Sequence, residues 1–211
     1  MSIVWYCFLN QIQIKEILIT SKPTKLKVNK NRKFSPHHVL LGAARVALDD
    51  AKNKKPGHFY SQLTVITFSA LSIEAIGNAF GERFVDGWKD YESSSPVAKL
   101  RIVCTHLKID VKFDDSPWST AKWLIHLRNK IAHAKPQMLD VNFEIRADEY
   151  DEEKRAKEPI SKLEKEITLK NAIKSYNAVK LILDILCDNI STLDQFGLRS
   201  DGWAGSATIL P

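Results

Sequence analysis

Arg128, Asn129, Lys130 and His133 fall within one short run, Leu127-Arg128-Asn129-Lys130-Ile131-Ala132-His133-Ala134-Lys135-Pro136. Wound as a helix, Asn129 and His133 are four residues apart and share a face, with His126 and Lys130 on or beside it. Arg128 is one step off that face, toward the apolar stripe of Leu124, Leu127 and Ile131. Pro136 requires the helix to end before it. His133 therefore sits in the last turn, at the negative end of the helix dipole. A histidine exchanges protons near neutral pH, and a guanidinium binds phosphate through a planar fork of donors. These types at this spacing suit phosphate chemistry. They equally suit a solvated helix end, so the elements around them must decide.

Glu74 is the second candidate. Between Gly57 and Gly81 its only ionisable companion near neutrality is His58. A carboxylate in so apolar a stretch needs a partner or an edge open to water. Arg128 is the best placed partner; a solvent-facing edge is the alternative. Other candidates are weaker. His37 and His38 are adjacent, so on a helix their side chains diverge and do not form a metal site. His106 and His126 have no spacing that joins them. Trp118 and Trp123 begin the Arg128 helix and have the type that stacks on bases, but large aromatics in a bundle belong first to the core. The chain has no glycine-rich phosphate loop, HExxH or GxSxG. No metal and no cofactor are expected.

Helical elements must position these residues. Ser35-Pro36, Ser95-Pro96 and Ser116-Pro117 each precede a helical pattern. A serine hydroxyl caps a free N–H, and proline at the first helical position sacrifices no bond. The periodicity predicts helices near 36–53, 58–80, 96–108, 117–134 and 162–190. The first has Val39, Ala43, Val46 and Ala47 as its inner stripe. The second is apolar nearly all round, which makes it central, and Gly81 would stop it. The third carries Val97, Leu100, Val103 and Leu107; the last carries Ala172, Tyr176, Val179, Leu183 and Leu186. Residues 137–160, with Asp148, Glu149, Asp151, Glu152, Glu153 and Glu158, form an acidic connector.

Residues 1–34 differ. Ile12 and Ile14, and Leu26 and Val28, alternate with polar residues around a break at Ser21-Lys22-Pro23, which predicts short strands in a hairpin; residues 3–19 also fit a helix. The organisation expected is an extension over 1–34, a helical domain over 35–190 and an unpatterned tail over 191–211.

The chain has 211 residues, 44% of them hydrophobic and 27% charged, as in an ordinary soluble domain. Glycine and proline, 8 of each, are too few for a turn-rich β-sandwich. No apolar run approaches the roughly 20 residues of a membrane span. The three cysteines, Cys7, Cys104 and Cys187, are scattered and odd in number, which suits a reducing, cytoplasmic setting and small buried side chains. The net charge of +6 permits a polyanionic partner. Lys15, Lys22, Lys25, Lys27, Lys30, Arg32 and Lys33 crowd one stretch that contains the single acid Glu16. That stretch is either a phosphate-facing strip or a solvated edge.

Arg128 to His133, with Asn129 after the arginine, near the end of a late helix in a helical bundle, resembles the R-x4-6-H motif of the HEPN superfamily (higher eukaryotes and prokaryotes nucleotide-binding). The resemblance covers roughly residues 58–190, and residues 1–135 look like a prokaryotic, plasmid-borne or mobile-element branch of the family. It implies an all-α, HEPN-like bundle of about five helices carrying a small N-terminal extension. It implies metal-independent cleavage of RNA, leaving a 2′,3′-cyclic phosphate and a 5′-hydroxyl. His133 would be the general acid or base, Arg128 would bind the phosphate, and Asn129 would orient one of them. Glu74, Lys130 and His126 would support the site. It implies a homodimer in which two motifs line one cleft, a toxin or phage-defence role, and an antitoxin protein as a further partner. A catalytically inactive module that binds nucleic acid or a partner protein is the alternative.

Overall fold

The computed structural model describes residues 25–53, 56–146, 158–200 and 202–209. The readings placed on residues 1–24, including the hairpin and Cys7, lie outside the described residues, as does most of the acidic connector. The described residues fall into two units, a helical one within Phe34–Asp201 and a two-stranded one formed by chain on either side of it.

Among its described residues the helical unit contains five α-helices: α1 (Pro36–Lys52), α2 (His58–Phe84), α3 (Pro96–His106), α4 (Trp118–Ala132) and α5 (Leu169–Asp188). The protein is thus mostly helical. As its all-round apolar sequence requires, α2 is central and packs against the other four described helices. Val65, Ile66, Ala70, Ile73, Ile76 and Phe80 are wholly buried along it. Their larger core brings in Leu100 and Val103 of α3, Leu124 of α4, and Ile182 and Leu186 of α5. A smaller core joins Ala47 and Leu48 of α1 to Val65, Ile66, Leu127 and Ala172.

Several expectations need correction. Gly81 does not stop α2, which runs on to Phe84. Gly81 lies directly beneath the Trp88 ring, where no side chain fits. By length and composition α2 could also cross a membrane; Thr64, Thr67, Ser69 and Ser72 interrupt its apolar run and hide this. Here α2 is the core helix of the bundle.

The inner stripe of α1 is also different. Val39 and Val46 are exposed, and the buried set is His37, Ala44, Ala47, Leu48 and Ala51. His37 is the reason the helix turns this way. Its Nε2 lies 2.9 Å from the Leu198 carbonyl oxygen, which gives that buried nitrogen a partner inside the fold. The alanines then let α1 lie close against α2.

The Ser-Pro device works once as predicted. Ser95 Oγ accepts the Ala98 N–H at 3.3 Å. Ser35 occupies the cap of α1 but turns its hydroxyl to donate to the Gly197 carbonyl at 2.5 Å. At α4 the cap position belongs to Pro117. The last helix begins later than periodicity suggests, at Leu169, after a 3₁₀ turn over Glu164–Glu166. Thr168 caps it by accepting the Asn171 N–H at 3.2 Å.

In the second unit, β1 (Leu26–Lys33) pairs antiparallel with β2 (Gly202–Ile209), from Leu26 opposite Ile209 to Lys33 opposite Gly202. Residues 191–211 are therefore not simply a tail: their last part completes a ribbon begun before α1. Leu26 and Val28 do lie on a strand, but its partner comes from the opposite end of the sequence.

The two helical glycines Gly81 and Gly42 should respond oppositely to an added methyl group. Gly81→Ala overpacks against Trp88 and should lower stability by about 1–3 kcal/mol. Nothing lies within 4 Å of a Cβ added at Gly42, so Gly42→Ala should gain up to about 1 kcal/mol from helix propensity. Urea unfolding midpoints of the two variants test this; equal shifts would refute the placement of Gly81.

Candidate functional site

Helix α4 is held along one side by Trp118, Ala121, Leu124 and Leu127, all buried. Leu124 belongs to the larger core and Leu127 to the smaller, so the helix is anchored at two depths. The residue after Leu127 emerges at the boundary of the packed interior: the Arg128 side chain keeps 25% of its surface exposed. His126, Asn129, Lys130 and His133 are exposed. His133 is the C-cap rather than a residue of the last turn, but its N–H still bonds the Asn129 carbonyl at 3.0 Å. The side chains of Asn129 and His133 make no hydrogen bond among the described residues.

The structure brings Arg128 and Glu74 together. Arg128 Nη2 donates to Glu74 Oε2 at 3.4 Å, a long contact joining α4 to α2. Glu74 is not buried as its apolar surroundings suggest: its side chain is 37% exposed. The buried charge is Lys99, at 3%, whose Nζ donates to Glu74 Oε1 at 3.2 Å. Sequence reasoning passed over Lys99. It stands beside Leu100 at the start of α3, and the clue to it lies on α2. Gly77, one turn beyond Glu74, leaves room for the Lys99 stem; a Cβ there would come within 3.1 Å of Lys99 Cβ.

One carboxylate thus serves two cations from two helices. Lys99 bonds Oε1 and Arg128 bonds Oε2 alone, without the two parallel bonds that a guanidinium and a carboxylate can make. Its Nε is buried and has no hydrogen-bond partner among the described residues. An unsatisfied buried donor of this kind costs about 1–3 kcal/mol. Arg128 is held in place with bonding capacity left over.

Lys130 is engaged elsewhere. Its Nζ donates to Glu166 Oε1 at 2.8 Å, and Trp123 Nε1 donates to Glu166 Oε2 at 3.3 Å. The Lys174 ammonium lies 5.3 Å from the centre of the Trp123 ring. Trp118 is buried in the core. The bond from Lys130 holds the Glu166 carboxyl below the usual carboxylate range. Burial pushes the Cys104 thiol up to about 12 and the Cys187 thiol upward, so neither is poised as a nucleophile. Among the described residues no cluster of three His, Cys, Asp or Glu side chains could hold a metal ion.

Two outcomes follow. Glu74→Ala strands Lys99 in the interior and should cost on the order of 2 kcal/mol, reduced from the fully buried case by the exposure of Glu74. Lys99→Met should cost less, and the double variant no more than Lys99→Met alone; additive losses in urea unfolding would show the two residues to be uncoupled. The second concerns acid. The lowered Glu166 carboxyl contributes stability that is present above its unfolded value, about 4.3, and is lost as pH falls through its lower folded value. Lys130→Met should raise the Glu166 titration midpoint followed by NMR; an unmoved midpoint would refute the assigned cause.

No protein-family model, curated protein or solved structure matches this chain.

Proposed function

We propose that the chain is a metal-independent endoribonuclease of the HEPN type, acting as a toxin or a phage-defence effector. The observation that carries this is the state of Arg128. It is fixed on a core-anchored helix by a carboxylate shared with Lys99, its side chain keeps 25% of its surface exposed, and it stands five residues before an exposed histidine at the end of that helix. A phosphate oxygen is the acceptor such a guanidinium suits.

In this mechanism His133 takes the proton from a ribose 2′-hydroxyl, whose oxygen attacks the adjacent phosphorus. The bond from phosphorus to the 5′-oxygen breaks, that oxygen takes up a proton, and a 2′,3′-cyclic phosphate remains. Arg128 stabilises the charge growing on the non-bridging oxygens. Asn129 orients the histidine or the phosphate. His126 adds a titratable group to the same helix. Lys130 acts at a distance, as part of its pair with Glu166. One histidine supplies one proton-transfer group, and the reaction uses two. A homodimer that sets a second copy of His133 across the cleft supplies the other. An antitoxin protein that covers this face is the corresponding inhibitor.

A specific observation favours the other reading, an inactive HEPN-like module that binds nucleic acid or a protein. Glu166 pairs with Lys130, inside the motif, and so offsets one of its cations with a carboxylate.

The deciding comparison is wild type against His133→Ala and Arg128→Ala on labelled RNA with EDTA present, with end-group analysis of the products. Wild type should cleave and leave cyclic phosphate ends. Each variant should lose about 10²- to 10⁴-fold in rate while remaining folded. A requirement for added metal, or full activity in His133→Ala, refutes the mechanism. No cleavage of any RNA by wild type moves the binding module ahead. Light scattering that finds an active monomer refutes the homodimer.

A further inference from the structure

The net charge of this chain is concentrated in its ribbon. Residues 25–33 contain Lys25, Lys27, Lys30, Arg32 and Lys33 and no acid, five positive charges against a total of +6 for the chain. Outside this segment the protein is close to neutral, at +1. All eight residues of β1 are exposed, and so are Ala204 to Thr208 of β2. An eight-residue strand is about 26 Å long.

The register distributes the side chains. Residues directly opposite share a face. Lys27, Asn29, Asn31 and Lys33 therefore lie with Thr208, Ser206 and Ala204 on one face. Lysine, asparagine, serine and threonine are the residue types that contact phosphate and sugar. On the other face Lys30 is opposite Gly205, whose missing side chain leaves the lysine stem uncovered. The β2 residues opposite Lys27 and Lys30 are small, Thr208 and Gly205.

Lysines on an edge strand have a second use, which is to block pairing with other chains. That use does not fit the distribution. Among the described residues the ribbon has two strands, and its charge lies on β1 alone: Ala204 to Thr208 of β2 carry none. Lys27 and Lys33, on the face that also carries Asn29, Asn31, Ser206 and Thr208, with Lys30 on the opposite face, fit a linear polyanion instead.

We propose that the β1–β2 ribbon binds the phosphodiester backbone of a nucleic acid, independently of base sequence. This goes beyond the ribonuclease reading, because such binding requires nothing of Arg128 or His133. It gives the chain a nucleic-acid contact outside the helical unit. The ligand chemistry is shared by RNA and single-stranded DNA, and the test separates them.

The experiment uses the full chain with His133→Ala, so that the probe stays whole. Binding of a labelled single-stranded RNA, and of DNA of the same sequence, is measured by fluorescence anisotropy over a range of salt. Lys27, Lys30, Arg32 and Lys33 are changed together to glutamine. A second variant keeps the charge by changing the three lysines to arginine. Circular dichroism and thermal melting verify that both are folded. The glutamine variant should bind on the order of 10²-fold more weakly at 0.1 M salt, with a slope of log affinity against log salt smaller by about 3, at roughly 0.7 per phosphate contact. The arginine variant should bind as the parent does. RNA bound more tightly than DNA identifies RNA as the ligand, and equal binding identifies either. Unchanged affinity and slope in the glutamine variant overturn the proposal. So does a soluble fraction that binds normally while the rest aggregates, which would reveal edge protection. So does a parent that binds phosphatidylserine vesicles but neither nucleic acid. Repeating the substitutions with His133 intact separates the two readings. Ribbon-dependent binding without cleavage refutes the ribonuclease and leaves the ribbon, whereas cleavage that ignores the ribbon does the reverse.

Discussion

The Glu74 carboxylate is shared between Lys99 and Arg128, and the candidate site depends on that sharing. A cation as buried as Lys99 requires a counter-charge, because its desolvation is too costly to bear alone. Glu74 supplies it from the central helix. Lys99 bonds one oxygen and Arg128 the other. Three helices, α2, α3 and α4, are thereby joined at one point. The arginine is neither free to swing nor fully bonded. A functional group needs this combination: a fixed position, set by packed helices, and an interaction still to be made.

The way α4 is anchored explains why the position can be held. Leu124 and Leu127 are wholly buried in two different cores, so the helix resists both rotation and sliding. Its next residues face outward, and the polar end of the helix is carried at a defined angle. Glu166 adds a second clamp, from the turn before α5, by taking bonds from both Lys130 and Trp123. Two acids thus act on one helix with different results. Glu74 leaves Arg128 partly unsatisfied, and Glu166 occupies Lys130.

Much of the helical unit could be read from residue order because its burial follows a 3.6-residue period. Ala172, Val179, Leu183 and Leu186 on α5 all turn inward. Helix α1 misled for a physical reason. Of the expected stripe Ala47 is buried, but Val39 and Val46 face outward, and His37, bonded to a distant carbonyl, lies inside with Ala44 and Ala51; neither histidine nor alanine advertises burial by hydropathy. The pairing of Glu74 with Arg128 was accessible from the scarcity of ions along α2. Lys99 was not, because its burial depends on the space that Gly77 leaves on another helix. The ribbon was half visible. Alternation marked Leu26 and Val28 as a strand, but pairing across the whole helical unit leaves no local trace in sequence.

That long-range pairing has a consequence for the order in which the molecule is made. β1 is synthesised before every helix of the bundle, and β2 after all of them. A strand of polar and charged residues has little local structure to adopt while it waits, and closing so long a loop is slow compared with packing helices against their neighbours. The ribbon is therefore the last part of the fold to exist. An interrupted translation product could build the whole bundle and still have no ribbon at all, so any property that belongs to the ribbon marks a chain translated through to β2.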